Sequence, residues 1–420
     1  MSKRQVTIIG AGIIGLSVGY HLIKAGQRVT VIDRDPEGDK ASFGNAGAIA
    51  VTEIIPASSP AVWARVFGWM MDPLGPLAVR PAHAPALIPW LWQFARAGLP
   101  SEVERLSSAL AVLNSRAYDD LDPMLADLGL SDELNRTGAL SVYETEAGYE
   151  RERPEWARKQ ALGIAIERLT GDQAREMEPA LGPLVKRAVF APQWSYLNDP
   201  KRLVDELRRW LQRSGALISK GEVTRISAQP GSAVLLDISG GPRLSAECVV
   251  IAAGAWSGIL ARQVGDRVLL ESERGYNMTL PHPAVSLGRE LIFAERKFVA
   301  TPLSCGLRIG GAAEFGGLDA KPNDRRSRAL VTLARKYLPG LETEGGTSWS
   351  GHRPTTPDSL PVIGPSPRSP NVFYAFGHAH LGLTQAATTG KLVCDQILGT
   401  PPAMDLKSYG IERFSRLRHA

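Results

Sequence analysis

Val6-Thr7-Ile8-Ile9-Gly10-Ala11-Gly12-Ile13-Ile14-Gly15 decides the fold. The first four residues read as a buried parallel strand, and residues 15–25 read as an amphipathic helix. The glycines between them permit a tight turn, let backbone approach a pyrophosphate, and bring helix and strand together. The first helical N–H groups then face the phosphates, where the helix dipole favours negative charge. A second strand is predicted over residues 27–32. It ends at Asp33, about twenty residues past the glycines, where an acid can bind a ribose hydroxyl. Strand, glycines, helix, strand and acid in this order point to dinucleotide binding.

The same stretch has a competing reading. No formally charged residue lies between Val6 and Ile23, and Lys3 and Arg4 precede it, as in a signal peptide or membrane helix. The clustered glycines and the strand that follows without a break argue against both. The 420 residues suffice for two domains, and 44% hydrophobic with 22% charged residues is the balance of an ordinary globular chain. A net charge of +5, with no long Lys/Arg block, argues against nucleic-acid binding. The cysteines, Cys248, Cys305 and Cys394, are odd in number and lack metal-ligand spacing, so a reducing, cytoplasmic setting without disulfides is expected.

After Asp33 comes a loop rich in small residues, Lys40-Ala41-Ser42-Phe43-Gly44-Asn45-Ala46-Gly47, suited to a close pass by a ligand. Residues 63–97 are dense in Trp, Pro and Met. They are expected to form helices packed on a core, the other reading being an apolar surface that touches a membrane or partner. Residues 106–128 read as one helix, and Asp199-Pro200 as the cap and first turn of another that ends at Gly215. Residues 223–227 and 234–238 alternate as a meander. Residues 247–256 read as a buried strand ending in small residues, a second place for backbone to meet a cofactor. Residues 268–280 and 291–313 are expected to form an antiparallel sheet. Near the end, Gly377-His378-Ala379-His380-Leu381-Gly382-Leu383-Thr384 opens a helix whose N-terminus suits a second electron-rich acceptor such as a flavin N1–C2=O edge.

Taken together, several motifs resemble the FAD-dependent amine oxidoreductases of the D-amino acid oxidase superfamily, and among them the bacterial D-amino acid dehydrogenases. They are the glycine motif, Ser42 to Gly47, Trp69-Met70, residues 76–80, Trp90-Leu91-Trp92, Ala252 to Trp256, Arg353-Pro354-Thr355-Thr356-Pro357-Asp358 and Gly377 to Thr384. The resemblance implies an α/β protein. A Rossmann-like FAD-binding domain (1–60, 180–262, 348–420) would interleave with a substrate domain (61–179, 263–347) built on a mixed, largely antiparallel sheet with helices.

The resemblance also implies FAD phosphates on Gly10, Gly12, Ile13, Ile14 and Gly15, and the adenosine ribose beside Asp33 and Arg34. Ser42, Asn45, Ala46 and Gly47 would line the pyrophosphate and isoalloxazine, Val223 the adenine, and Gly254 the cofactor's side. Gly377, His378, Gly382, Leu383 and Thr384 would hold the flavin edge. Arg353 is the expected carboxylate clamp, its guanidinium fork being the natural partner of a carboxylate; the competing reading pairs it with Asp358. Tyr276 is a candidate second donor to that carboxylate, or a half-buried strand aromatic. His380 is a candidate acid–base group or space-filler; the spacing of His378 and His380 makes no metal site.

The activity so implied is dehydrogenation of a D-amino acid, or of a cyclic secondary amino acid such as D-hydroxyproline. A hydride passes from Cα to flavin N5, leaving an imino acid, and a quinone, oxygen or an electron-transfer protein takes the electrons. A glycine- or sarcosine-type oxidase and a nicotinamide-dependent dehydrogenase are the alternatives, together with a flavoprotein domain serving nucleic acid or a partner subunit.

Overall fold

The computed structural model describes residues 3–59, 75–229 and 232–415. Trp63, Trp69, Met70 and Met71 lie outside them, so the expectation for residues 63–97 can be followed only from residue 75 onward.

Gln5–Ile9 lies inside a sheet ordered Leu217–Lys220, Arg28–Asp33, Gln5–Ile9, Cys248–Ile251, Val372–Phe376, Val362–Pro365. All neighbours are parallel except the last pair. Ile8 sits opposite Val31 and Val250 and is wholly buried, which is why this strand reads as unbroken apolar sequence. The uncharged N-terminal run is thus a core strand followed by the helix Ile13–Lys24. No helix among the described residues is long and apolar enough to cross a membrane.

The helix Pro200–Arg213 starts as its sequence dictates. The Asp199 side chain accepts from the N–H groups of Lys201 and Arg202, and Leu203, Val204, Leu207 and Leu211 are buried along one stripe. Residues 106–128, expected as one helix, belong to two, Pro100–Ser115 and Ala117–Leu128. Leu106, Leu110, Leu113, Ala117, Leu121 and Met124 stay in step across the join and are all buried, so the apolar pattern hides the break.

A second, mixed sheet runs Thr347–Thr355, Glu271–Leu280, Gly306–Phe315, Phe298–Leu303, Glu290–Phe293, Ala139–Tyr143, Arg187–Ala191, Glu167–Thr170, with Leu77–Val79 added to Gly306–Phe315. Two expected segment bounds shift on this pairing. Arg187–Ala191 is hydrogen-bonded to Ala139–Tyr143, and Thr347–Thr355 to Glu271–Leu280. Neither strand therefore belongs with the parallel sheet, as bounds at 180 and 348 had it.

On the helix Ala84–Ala97, Leu87 and Trp90 are buried while Ile88, Leu91 and Trp92 are exposed, so the segment both packs and presents an apolar face.

Candidate active site

The chain leaves the parallel strands at Gly10, Asp33, Ala252 and Gly377, all at their carboxyl ends, where ligands of open α/β sheets bind. A cavity of about 1360 Å³ opens there and extends to the second sheet. Ordinary small-molecule sites measure roughly 300–1,000 Å³, so this one has room for a dinucleotide and a further small molecule.

Its first wall is built by the glycine turn. Gly10 has φ +114, and a Cβ there would stand 2.3 Å from the Ala252 carbonyl oxygen. The Ala11 N–H donates to Asp33 Oδ2 at 2.7 Å, and the Ile13 N–H donates to Ser42 Oγ at 3.0 Å. Asp33 also accepts from the Asp35 N–H and from Lys40 Nζ at 3.2 Å, which fixes its carboxylate at the cavity edge. Asn45 closes the 42–47 loop, donating to Ser42 O and accepting from the Gly47 N–H. From the second sheet, Asn277 donates to Gly44 O and Arg308 to Asn45 O, so each sheet positions part of this loop.

Gly10, Gly12, Ile13, Ile14, Asp33, Arg34, Ser42, Asn45 and Ala46 all face this cavity. Val223, Gly254, His378, Gly382 and Leu383 face it from other elements, and a Cβ at Gly254 would meet only open space. Four expected cofactor residues do not reach its wall. Gly15 packs on the Gly10 carbonyl, Gly47 on Leu197, and Gly377 on Thr356. The Thr384 hydroxyl accepts from the Ala50 N–H at 2.9 Å. Each shapes backbone behind the wall.

The helices Ile13–Lys24 and Gly382–Leu398 pack closely, a Cβ at Gly390 standing 2.5 Å from Ser17 O. Neither has a cap from its own N-cap side chain, and although Ser42 Oγ takes the Ile13 N–H, both present further first-turn N–H groups at their starts. His378 is buried; its Nε2 lies 2.9 Å from Thr389 Oγ1, and Nδ1 has no partner among the described residues. Burial pushes its pKa down to about 3, so the ring is neutral.

The turn carrying the two histidines is stapled to the Arg353 strand, because the Ala379 N–H donates to Pro354 O and Thr355 bridges His378. Arg353 opens on the cavity, and its partner is Glu273, directly across the strand pair, at 2.8 Å. The alternative partner, Asp358, is instead held by Arg413 at 2.7 Å. Gly275 makes the room: a Cβ there would fall 2.4 Å from the Arg353 guanidinium carbon. His380 faces the same space. Burial lowers its pKa, with Glu53 and Glu273 opposing that shift.

Tyr276 also lines the cavity, yet its hydroxyl accepts from the Asn323 N–H at 3.1 Å. Tyr276→Phe is therefore expected to cost about 1–3 kcal/mol of stability through the orphaned amide. The substrate Kd should change less than threefold by flavin titration; a tenfold rise would restore Tyr276 as a substrate donor.

Sequence reasoning missed Glu273, Gly275, Glu53, Lys159 and Glu290, all in or against this cavity. Glu273 had one available signal, since it lies three residues before Tyr276, the candidate second donor to the carboxylate.

A profile of the family described as FAD dependent oxidoreductase matches residues 5–396. The D-amino-acid oxidase of Bradyrhizobium diazoefficiens is 32% identical over 98% of this chain and 99% of its own length. The D-amino acid dehydrogenase of Dechloromonas aromatica is 30% identical over 95% and 98%. Among solved structures, glycine oxidase from Geobacillus kaustophilus superposes with a TM-score of 0.76 at 24% identity, covering 98% of this chain and 99% of that one. L-proline dehydrogenase from P. horikoshii gives 0.75 at 19% identity, covering 99% and 98%. These two share the fold. The cavity suits FAD by its own features: the glycine cradle at Gly10, open space beside Gly254, two helix starts without an N-cap side chain and a His378 nitrogen with no partner among the described residues.

Proposed function

Because the chain belongs to the FAD dependent oxidoreductase family, we propose that it oxidises the Cα–N bond of a D-amino acid, or of a cyclic secondary amino acid such as D-hydroxyproline, to the imino acid. FAD is the family's cofactor, which sets aside the nicotinamide reading. The D-configuration rests on the likeness to curated relatives named D-amino-acid oxidase and D-amino acid dehydrogenase. The observation that carries the reading is Arg353, a guanidinium facing the same cavity as the dinucleotide motif and backed by a carboxylate.

Gly10, Gly12, Ile13, Ile14 and Ser42 would hold the phosphates, and His378, Gly382 and Leu383 the flavin edge. When bound, FAD supplies the redox chemistry, taking up two electrons and a hydrogen from the substrate α-carbon. Arg353 docks the carboxylate with charge-assisted hydrogen bonds, and Glu273 stops the guanidinium from turning away. The oxidisable amine must be unprotonated. His380, its pKa held below that of a free imidazole, offers a ring nitrogen to the substrate ammonium proton. Fixing the carboxylate and the amine fixes where Cα–H points, and orientation of this kind supplies much of the rate.

The test is anaerobic mixing of the purified holoprotein with a panel of D-, L- and cyclic amino acids, read as loss of the visible flavin band. D- or cyclic amino acids should bleach it without added acceptor. If none does, the reading fails.

A further inference from the structure

The cavity that Arg353 and His380 face also has a charged arm with no task in the reaction just described. Glu53, Glu152, Glu155 and Glu290 face it, against the ammonium groups of Lys159 and Lys297. Lys159 Nζ meets Glu53 Oε1 at 2.8 Å, and Lys297 Nζ meets Glu152 Oε1 at 2.8 Å. Among the described residues, Glu155 and Glu290 have no basic partner. Glu155 takes a hydrogen bond from Ser59, and Glu290 Oε2 accepts one from Trp194 Nε1 at 3.0 Å.

Glu290 lies at the start of a core strand, 1% exposed, where an apolar residue would be the ordinary occupant. Proximity links the arm to the clamp. Lys159, His380 and Lys297 are close enough to Glu53 to bear on its titration, Glu53 bears on that of Glu290, and Arg353 bears on that of His380.

We propose that Glu290, with Glu53, is the side-chain subsite of this enzyme, and that its preferred amino acid carries a positive charge at the far end of its side chain. The inference rests on Arg353 as the carboxylate anchor. A molecule held there by its carboxylate would extend its opposite end past His380 toward four glutamate carboxyl groups, of which only Glu53 and Glu152 have an ammonium partner. An anionic side chain meets a surplus of its own sign. An apolar one strips water from carboxyl groups and returns no partner. A cation beside Glu290 supplies the counter-charge that Lys159 and Lys297 already give to Glu53 and Glu152. The titration of Glu290 fits a site that waits for a cation: burial pushes its carboxyl up to about 8 and the Glu53 carboxylate adds repulsion, so it holds its proton until a counter-charge arrives.

The experiment uses the holoenzyme with two pairs of probes, matched except at the far end. 6-Aminohexanoate and hexanoate, neither oxidisable at an α-amine, are titrated by their perturbation of the flavin spectrum. D-Lysine and D-norleucine are compared by anaerobic flavin reduction. The cationic member of each pair is expected to win by at least tenfold, and Glu290→Gln to bring both ratios to within threefold of unity while hexanoate binds as before.

Equal or reversed ratios in the natural chain overturn the proposal, as does faster reduction by D-hydroxyproline than by D-lysine. Ratios unchanged in Glu290→Gln overturn the role of Glu290. The natural-chain ratios decide the substrate class even if the variant takes up no flavin. Failure of the parent reading looks different, since then no D-amino acid bleaches the flavin at all.

Discussion

Arg353→Ala is expected to weaken the binding of every carboxylate-bearing substrate by roughly two to four orders of magnitude. Two hydrogen bonds to a charged group are worth about 1.5–3 kcal/mol each, and each 1.36 kcal/mol is a factor of ten. The measurement is the concentration dependence of anaerobic flavin bleaching, with flavin content as the control for folding. Removing the guanidinium also strands Glu273 and empties the space beside Gly275. A double variant with Glu273→Gln separates loss of the clamp from the cost of an unpaired carboxylate. Arg353→Lys, which keeps the charge and loses the fork, should fall between. Simple amines without a carboxylate should react equally with all three proteins. An apparent affinity for D-amino acids that Arg353→Ala leaves unchanged would remove Arg353 from the site.

The local part of this site is legible in the chain because its parts are sequence neighbours or obey a periodicity. Gly10 to Gly15 and Asp33 lie within one strand–helix–strand unit, the 42–47 loop follows it directly, and the cap at Asp199 follows from its own next two residues. The distant part is not, because it is made by register. Glu273 reaches Arg353 across 80 residues, and Lys159 reaches Glu53 across 106. Each sits in a stretch whose own pattern gives no sign of the other. Lys159 belongs to Glu146–Ala161, a helix so charged that one more lysine looks like solvent-facing surface, yet it is buried. Asp358 was the natural sequence partner for Arg353, five residues away, and strand direction carries it to Arg413 instead. The same logic explains the glycines. The resemblance marks Gly15, Gly47 and Gly377 as places of close approach, and they are, but the approaching group is the protein's own backbone or side chain.

Gly10→Ala is the substitution expected to empty the protein of FAD. At φ +114 any side chain is strained, by an amount on the order of 1–3 kcal/mol for a non-glycine residue in such a region. The larger effect is steric. The new Cβ would lie 2.3 Å from Ala252 O, 2.8 Å from Ala252 C and 3.1 Å from Ala253 N, all backbone. That backbone cannot step aside, because the Ala252 N–H is bonded to Ile9 O at 2.9 Å and the Gly10 N–H to Ile32 O at 2.9 Å. Relief therefore requires the ends of three adjacent parallel strands to part, and those ends form the floor of the cavity. Gly254→Ala is the matched control. Its φ of +55 carries a milder strain, about 1–2 kcal/mol, and its Cβ meets no protein atom within 4 Å. The apoprotein melting temperature should drop sharply for Gly10→Ala and by only a few degrees for Gly254→Ala. FAD affinity, read from the flavin-to-protein absorbance ratio on titration, should fall at least a hundredfold for Gly10→Ala. It should fall less for Gly254→Ala, whose methyl group occupies ligand space without moving the strands. A Gly10→Ala protein that purifies with a full complement of FAD would show that the cofactor does not rest on this turn.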